Sequence, residues 1–233
     1  MTRRNKLLKF TEILTFSNVY ESIEVNSREL AGKDGAKVEM NGLWNSHYFN
    51  NQNPITVELA CGKGDYTIAL AERYPDRNFI GVDIKGARIW KGAKIAADKG
   101  LSNVVFLRCK IEFIHQYFNE NEVSEIWITF PDPFLKESKY NRRMTSPAFI
   151  NSYRHILNDE SLIHVKTDSP EFYVHTKEVL SEMRIPLLDE CHDIYAEDIL
   201  PHVDLDIKTY YELKHLKIGR TIKFLRFNPN SSD

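Results

Sequence analysis

Asp132 stands between two prolines, in Pro131-Asp132-Pro133, directly after the apolar, β-branched and aromatic run Glu125–Phe130. That run reads as a buried strand. Proline has no N–H to give a sheet, so the pair ends the strand and stiffens the loop that carries the carboxylate. Lys136, Lys139, Arg142 and Arg143 follow within the same stretch. In an open α/β sheet, ligands bind beyond the carboxyl ends of the strands. A rigid acid there, beside basic residues, suits a site that handles a polyanion. A proline-stopped strand with a solvated charged loop is the plainer alternative.

A second group lies upstream, in Val57-Glu58-Leu59-Ala60-Cys61-Gly62-Lys63-Gly64-Asp65. Glycines after a strand let a ligand approach the backbone and let the next helix start tightly. A dinucleotide site would need GxGxxG and a phosphate at the helix N-terminus. Asp65 and Tyr66 follow instead, and the acid Glu58 in the strand disfavours a dianionic ligand. Asp83, ending the next strand, is placed to accept hydrogen bonds from ribose hydroxyls; capping the strand end is its simpler role. A nucleoside with an amino-acid tail fits this set, which describes S-adenosylmethionine.

The elements that must hold these groups are predicted as follows. Strands run over Ile55–Leu59, Phe79–Val82, Val104–Leu107, Glu125–Phe130 and Leu162–Val165. Helices run over Tyr66–Arg73, Ala87–Lys99, Ile111–Phe118 (short), Phe149–Leu157 and Glu171–Met183. A final pair of strands covers roughly Leu187–Ile194 and Thr221–Phe227, with an acidic loop (Asp198, Asp204, Asp206 around Pro201) and a Tyr-rich stretch between. Strands alternating with helices imply βαβ crossovers and a mostly parallel sheet. Residues 1–53, irregular and polar, read as a partly ordered N-terminal extension that ends in a linker at Asn50–Pro54. Residues 54–233 read as the domain. The cations Arg3, Arg4, Lys6 and Lys9 suit a solvated end or a phosphate contact.

Composition sets the bounds. The 233 residues are 42% hydrophobic, enough for a full core, and the net charge of −2 requires any nucleic-acid contact to rest on local basic patches. Three separated cysteines show no zinc spacing and no disulfide framework, which fits a reducing compartment. No apolar region follows the N-terminal cations, and nothing approaches a membrane span. A soluble cytoplasmic protein is expected, with no metal and no membrane partner. The eight histidines show no ligand spacing, and His164, in a buried strand, reads as a satisfied structural residue.

The segments ELACGKG, IGVD, ITFPDPF…K…NRRMTSPAF, HVKTDS and TYYELKHLKIGRTI together resemble the bacterial tRNA (guanine-N7)-methyltransferases, from about Val57 to the C-terminus. The resemblance implies a Rossmann-like class I S-adenosylmethionine-dependent α/β fold. Its mostly parallel sheet has helices on both faces and an antiparallel C-terminal strand. It also implies methyl transfer to N7 of a guanosine in the tRNA variable loop, by a monomer or homodimer. Glu58 and Asp83 match cofactor-binding acids, joined by the Gly62/Gly64 turn, and Asp132 matches the active-site acid that also borders the cofactor. Lys136, Asp168, Thr209 and Glu212 match substrate-binding positions, and Arg142 and Arg143 would neutralise phosphates. A second basic set, Lys214, Lys217, Arg220, Lys223 and Arg226, would do the same.

Three departures stand out. Ala60 occupies a position where many relatives have glycine. Phe134 and Leu135 replace a common tryptophan and proline. Lys110 lies near the place of an adenine-binding aspartate, and a lysine cannot accept the adenine amine's hydrogen bond. The backbone at Lys110–Ile111, or Glu112, is left to do so.

Overall fold

The computed structural model describes residues 9, 11–24 and 27–231. The strands are β1 (Val19–Ser22), β2 (Glu29–Ala31), β3 (Lys37–Glu39), β4 (Ile55–Leu59), β5 (Asn78–Asp83), β6 (Val104–Arg108), β7 (Val123–Thr129), β8 (Leu157–Thr167), β9 (Leu187–Cys191) and β10 (Lys223–Phe227). The helices are α1 (Asp65–Arg73), α2 (Gly86–Asp98), α3 (Pro147–Ile156), α4 (Pro170–Glu182) and α5 (Tyr210–Leu216). All ten strands form one sheet in the order β3-β2-β1-β6-β5-β4-β7-β8-β10-β9.

From β1 to β8 every neighbouring pair is parallel, whereas β10 runs antiparallel between β8 and β9. Every residue of β4 and β5 is buried, as expected of parallel strands covered on both faces. Side chains alternate between the faces. Val57 and Leu59 join the core shared with α3 and α4, through Ile150, Tyr153 and Phe172. Phe79, Phe106 and Trp127 join the core shared with α1 and α2, through Tyr66, Leu70, Ile89 and Ala93. The helices on both faces and the antiparallel C-terminal strand therefore stand as expected.

The N-terminal region differs from the irregular extension read from composition. β1 pairs with β6, and β2 and β3 continue the sheet outward. Trp44 is buried, donates from Nε1 to the Tyr117 carbonyl at 2.8 Å, and stacks on Phe118. The Asn-rich linker is a packed junction: Asn78 Nδ2 donates to Asn45 at 2.8 Å and to Asn51 at 2.7 Å. Arg3, Arg4 and Lys6 lie outside the described residues, while the Lys9 ammonium sits 4.1 Å above the Trp90 ring.

The acidic loop also differs. Asp204 is buried and accepts from Arg73 at 2.8 Å and from the Tyr74 hydroxyl at 2.9 Å. Among the described residues no helix is long and apolar enough to cross a membrane.

Glu125, His164 and His202 bring ligand-type atoms within 4.8 Å of one another, from three separate elements that sequence spacing cannot associate. These groups engage one another and protein partners, while the buried His164 Nδ1 has no hydrogen-bond partner among the described residues. His164 Nε2 lies 2.9 Å from Glu125, Arg77 pairs with the same carboxylate, and Thr56 donates to it at 3.0 Å. His202 Nδ1 accepts from the Asp204 N–H. Burial alone would raise the Glu125 pKa. The hydrogen bond from His164 and the charges of His164 and Arg77 outweigh burial and hold it at about 2. A depressed carboxylate contributes stability above its unfolded pKa and loses it as pH falls through the folded value. Urea unfolding followed against pH should therefore show stability declining from about pH 4.5 toward about pH 2. Glu125→Gln should remove that part of the acid limb.

Candidate active site

At the carboxyl ends of β4 to β8 the sheet opens into a cleft of about 1180 Å³, lined by Glu58, Gly62, Asp83, Lys110, Asp132 and Asp168 among others. The turn after β4 is left-handed at Ala60 (φ 56°), Gly62 (φ 60°) and Gly64 (φ 71°). A Cβ at Gly64 would stand 2.6 Å from the buried Phe106 ring, so only glycine lets this turn close on the core. Gly92 of α2 does the same from the other side, since a Cβ there would lie 2.7 Å from the Lys63 carbonyl.

Asp83 Oδ2 accepts from the Gly62 N–H at 3.0 Å, and Oδ1 from the Lys85 N–H at 2.7 Å. It caps the strand end and braces the glycine turn. A carboxylate has about four acceptor positions, so capacity for ribose hydroxyls remains. Glu58 is buried and ties three elements together. It accepts from the Thr67 N–H at 2.8 Å, from the Thr67 hydroxyl, and from the Thr129 hydroxyl at 2.7 Å. Burial raises its pKa to about 7 despite these bonds. Lys110 is exposed on the cleft wall beside Ile111 and Glu112. Glycine turn, strand-end acid and buried acid together fit a nucleoside bearing an ammonium group.

Ala60 carries a Cβ in the left-handed region, which costs about 1–2 kcal/mol for an L-residue. Ala60→Gly should stabilise the fold by about 0.5–1 kcal/mol, the gain being trimmed by glycine's greater unfolded freedom. Denaturant midpoints of the two proteins check this.

The Asp132 loop is built differently. Phe130 (φ 50°) and Phe134 (φ 42°) both lie in the left-handed region, so a strained residue flanks each proline. The Phe130 N–H donates to the Lys166 carbonyl at 2.8 Å, which fixes the near end of the loop to β8. Asp132 is exposed to the cleft. Arg142 also lines the cleft, with its guanidinium 5.0 Å from the Phe134 ring centre. Lys136 and Lys139 are exposed, and both lie outside the cleft lining. Arg143, expected at phosphate, is instead buried, with its guanidinium turned to the loop backbone.

Beyond β8 Asp168 lines the same cleft, pairs with Arg220 and lies 3.1 Å from His215 Nδ1. Thr209 lines the cleft and caps α5: its hydroxyl accepts from the Glu212 N–H at 3.2 Å. Glu212, expected at substrate, is wholly buried beneath the wall. It pairs with Lys166 Nζ at 2.8 Å and accepts from the Tyr195 hydroxyl at 2.6 Å and the Thr209 N–H at 3.3 Å. The second basic set is divided. Arg220 pairs with Asp168, Arg226 with Asp189, and Lys223 donates to the Thr221 carbonyl; Lys214 and Lys217 are exposed.

Sequence reasoning missed Lys166 and Thr129. A lysine inside the apolar run Ile163–Thr167 was the available signal for the first, and a hydroxyl at a strand end opposite Glu58 for the second. Lys63 links the glycine turn to α5, with its ammonium 4.1 Å above the Tyr210 ring, and Asp65 accepts from the Tyr210 N–H at 3.2 Å.

Comparison with known proteins places this geometry. A family model described as "Putative methyltransferase" matches residues 52–225. The chain is 43% identical to the tRNA (guanine-N(7)-)-methyltransferase of Christiangramia forsetii, covering 97% of this chain and 99% of that protein. It is 42% identical to the one from Bacteroides fragilis, covering 96% and 85%. Among solved structures, the 16S rRNA methyltransferase KamB superposes with a TM-score of 0.62 at 14% identity, covering 82% of this chain and 95% of that one. The 16S rRNA (adenine(1408)-N(1))-methyltransferase from Catenulisporales acidiphilia gives 0.61 at 18% identity, covering 88% and 100%. These structures share the fold. The sequence relatives share more, and the chain belongs to the tRNA (guanine-N(7)-)-methyltransferase family.

Proposed function

We infer that the cleft performs the methyl transfer of its family, from S-adenosylmethionine to N7 of a guanosine in tRNA, with the target in the variable loop. The observation that carries this reading is one cleft lined by Glu58, Asp83 and Asp132, the last on its doubly strained proline loop.

S-adenosylmethionine, when bound, supplies an already activated sulfonium methyl. Glu58 and Asp83, with the Gly62–Gly64 turn, hold that ligand; the backbone at Lys110–Ile111, or Glu112, receives its base. N7 of guanine carries a free lone pair and no proton, so the chain needs no general base to create a nucleophile. Its task is alignment and exclusion of water. Asp132 accepts from the N1–H and amine edge of guanine, or lies against the positive charge that grows on the base as the bond forms. Thr209 and Asp168 border the base in the same cleft. The base must leave its stack to reach this position, and Tyr211, 39% exposed on the cleft wall, offers a flat surface for it.

Lys136, Lys139 and Arg142 supply phosphate contacts, which give affinity and salt sensitivity without sequence information. A tRNA substrate implies a cytoplasmic protein.

The position of the target is tested on an unmodified tRNA transcript. After incubation with protein and S-adenosylmethionine, borohydride and aniline cleave the chain at 7-methylguanosine. One cut in the variable loop is expected. A cut confined to another loop rejects the assignment.

A further inference from the structure

We propose that Arg143 is a positioning residue for methyl transfer, holding the strained Phe130–Phe134 loop in the shape that presents Asp132, and not a phosphate-binding cation. The proposal rests on the reading above that Asp132 is the acid of the site.

Arg143 is 2% exposed and is absent from the cleft lining that includes its neighbours Arg142 and Met144. A phosphate cannot reach a guanidinium so enclosed without rearrangement of the loop. Two of its nitrogens already donate to the loop backbone. Nε donates to the Pro133 carbonyl at 2.7 Å, and Nη2 to the Phe134 carbonyl at 3.3 Å. The guanidinium lies 3.9 Å from the Tyr140 ring centre, which closes it from the other side. Its own backbone is fixed as well: the Arg143 N–H donates to the Tyr140 carbonyl at 3.0 Å, and the Ser146 N–H to the Arg143 carbonyl at 2.9 Å.

The two carbonyls that Arg143 grips belong to the residues immediately after Asp132, and one of them is Phe134 at φ 42°. A bulky residue in that region persists only where its surroundings over-determine it. Residues Pro131 and Pro133 stiffen the peptide but cannot donate hydrogen bonds, and the Phe130 N–H anchors only the near end, on Lys166. Arg143 supplies the far anchor. The guanidinium holds the two successive carbonyls from two nitrogens of one rigid plane, a geometry that the single nitrogen of a lysine ammonium does not share. The dipeptide Arg142-Arg143 therefore divides its labour, one guanidinium in the cleft for RNA and one beneath the loop for Asp132.

The test compares Arg143→Lys, Arg142→Ala and Asp132→Ala in the full chain, with steady-state kinetics on tRNA, calorimetric binding of S-adenosylmethionine, and the salt dependence of tRNA binding. Arg143→Lys keeps the charge and loses the fork. Its kcat should fall about 10²-fold, the order of loss that a misplaced group causes. Its KM for tRNA, cofactor Kd and salt slope should stay at wild-type values. Arg142→Ala should instead raise the tRNA KM and reduce the salt slope by about one. Wild-type kcat in Arg143→Lys overturns the proposal, as does a raised tRNA KM with a reduced salt slope in Arg143→Gln. If Arg143→Lys does not bind cofactor, Arg143→Gln, which can still donate to one carbonyl, should show the loss confined to kcat. Failure of both to bind cofactor while Arg142→Ala binds it assigns Arg143 to folding alone and also overturns the proposal. Retained turnover in Asp132→Ala rejects the underlying reading. An inactive Asp132→Ala beside a fully active Arg143→Lys rejects only the positioning role.

Discussion

Asp132→Asn should slow methyl transfer by about 10²- to 10³-fold, the order of effect seen when one preorganised electrostatic group is removed from a site, while cofactor affinity changes far less. Asparagine preserves size but replaces an acceptor-only group with one acceptor and one donor. It cannot accept both hydrogens of the guanine edge, and it has no negative charge to set against the cation forming on the base. Both losses grow toward the transition state, so kcat falls. On the proposed reading the cofactor keeps Glu58, Asp83 and the glycine turn, all on β4, β5 and the segment between them. Single-turnover rates and calorimetry separate the two effects. Equal loss of rate and cofactor affinity contradicts this account of Asp132.

Glu212→Ala should destabilise the fold by about 3–5 kcal/mol, the cost of leaving a buried charge unpaired. Lys166 and Glu212 are both 0% exposed. Burial pushes the Lys166 pKa down, and the Glu212 charge and hydrogen bond push it back up. Without Glu212 the ammonium keeps the Leu205 and Ile207 carbonyls at 3.0 and 2.9 Å and no countercharge at hydrogen-bond distance. The capping box at the start of α5 is lost with it. That helix carries Tyr211 and follows Thr209, so activity falls because the wall of the cleft loosens. Urea unfolding beside tRNA kinetics decides between the two roles of the residue. Unchanged stability with a raised tRNA KM would place the carboxylate on the substrate.

How much could be read from residues alone is clear from particular elements. The run Glu125–Phe130 with its two prolines announced both β7 and the exposed acid, because buried parallel strands are continuous apolar runs and proline marks their end. Asp83 was legible for the same reason, at the end of Phe79–Val82. β1, β2 and β3 were not. They are only three or four residues long, carry no strict alternation, and owe their place to the pairing of β1 with β6, a long-range contact that local pattern does not encode.

The site was legible by residue type more than by direction. Arg142 and Arg143 are adjacent and chemically identical, yet one faces the cleft and the other is buried beneath the loop. Glu212 and Thr209 flank one motif, but the capping box turns the carboxylate inward. Charge in a sequence says that a partner exists; only the fold says whether that partner is substrate or protein. Lys223 and Arg226 carry the same lesson, since strand β10 brings both onto internal acceptors.

The measurement that tests the central claim most directly is nucleoside mass spectrometry. Unmodified bulk tRNA is incubated with isotopically labelled S-adenosylmethionine and the purified protein, then digested. The account predicts labelled 7-methylguanosine, and its loss with the Asp132→Ala protein while that protein still binds cofactor. Cofactor binding by the wild-type protein with no labelled tRNA nucleoside, or label on a different base, would contradict it.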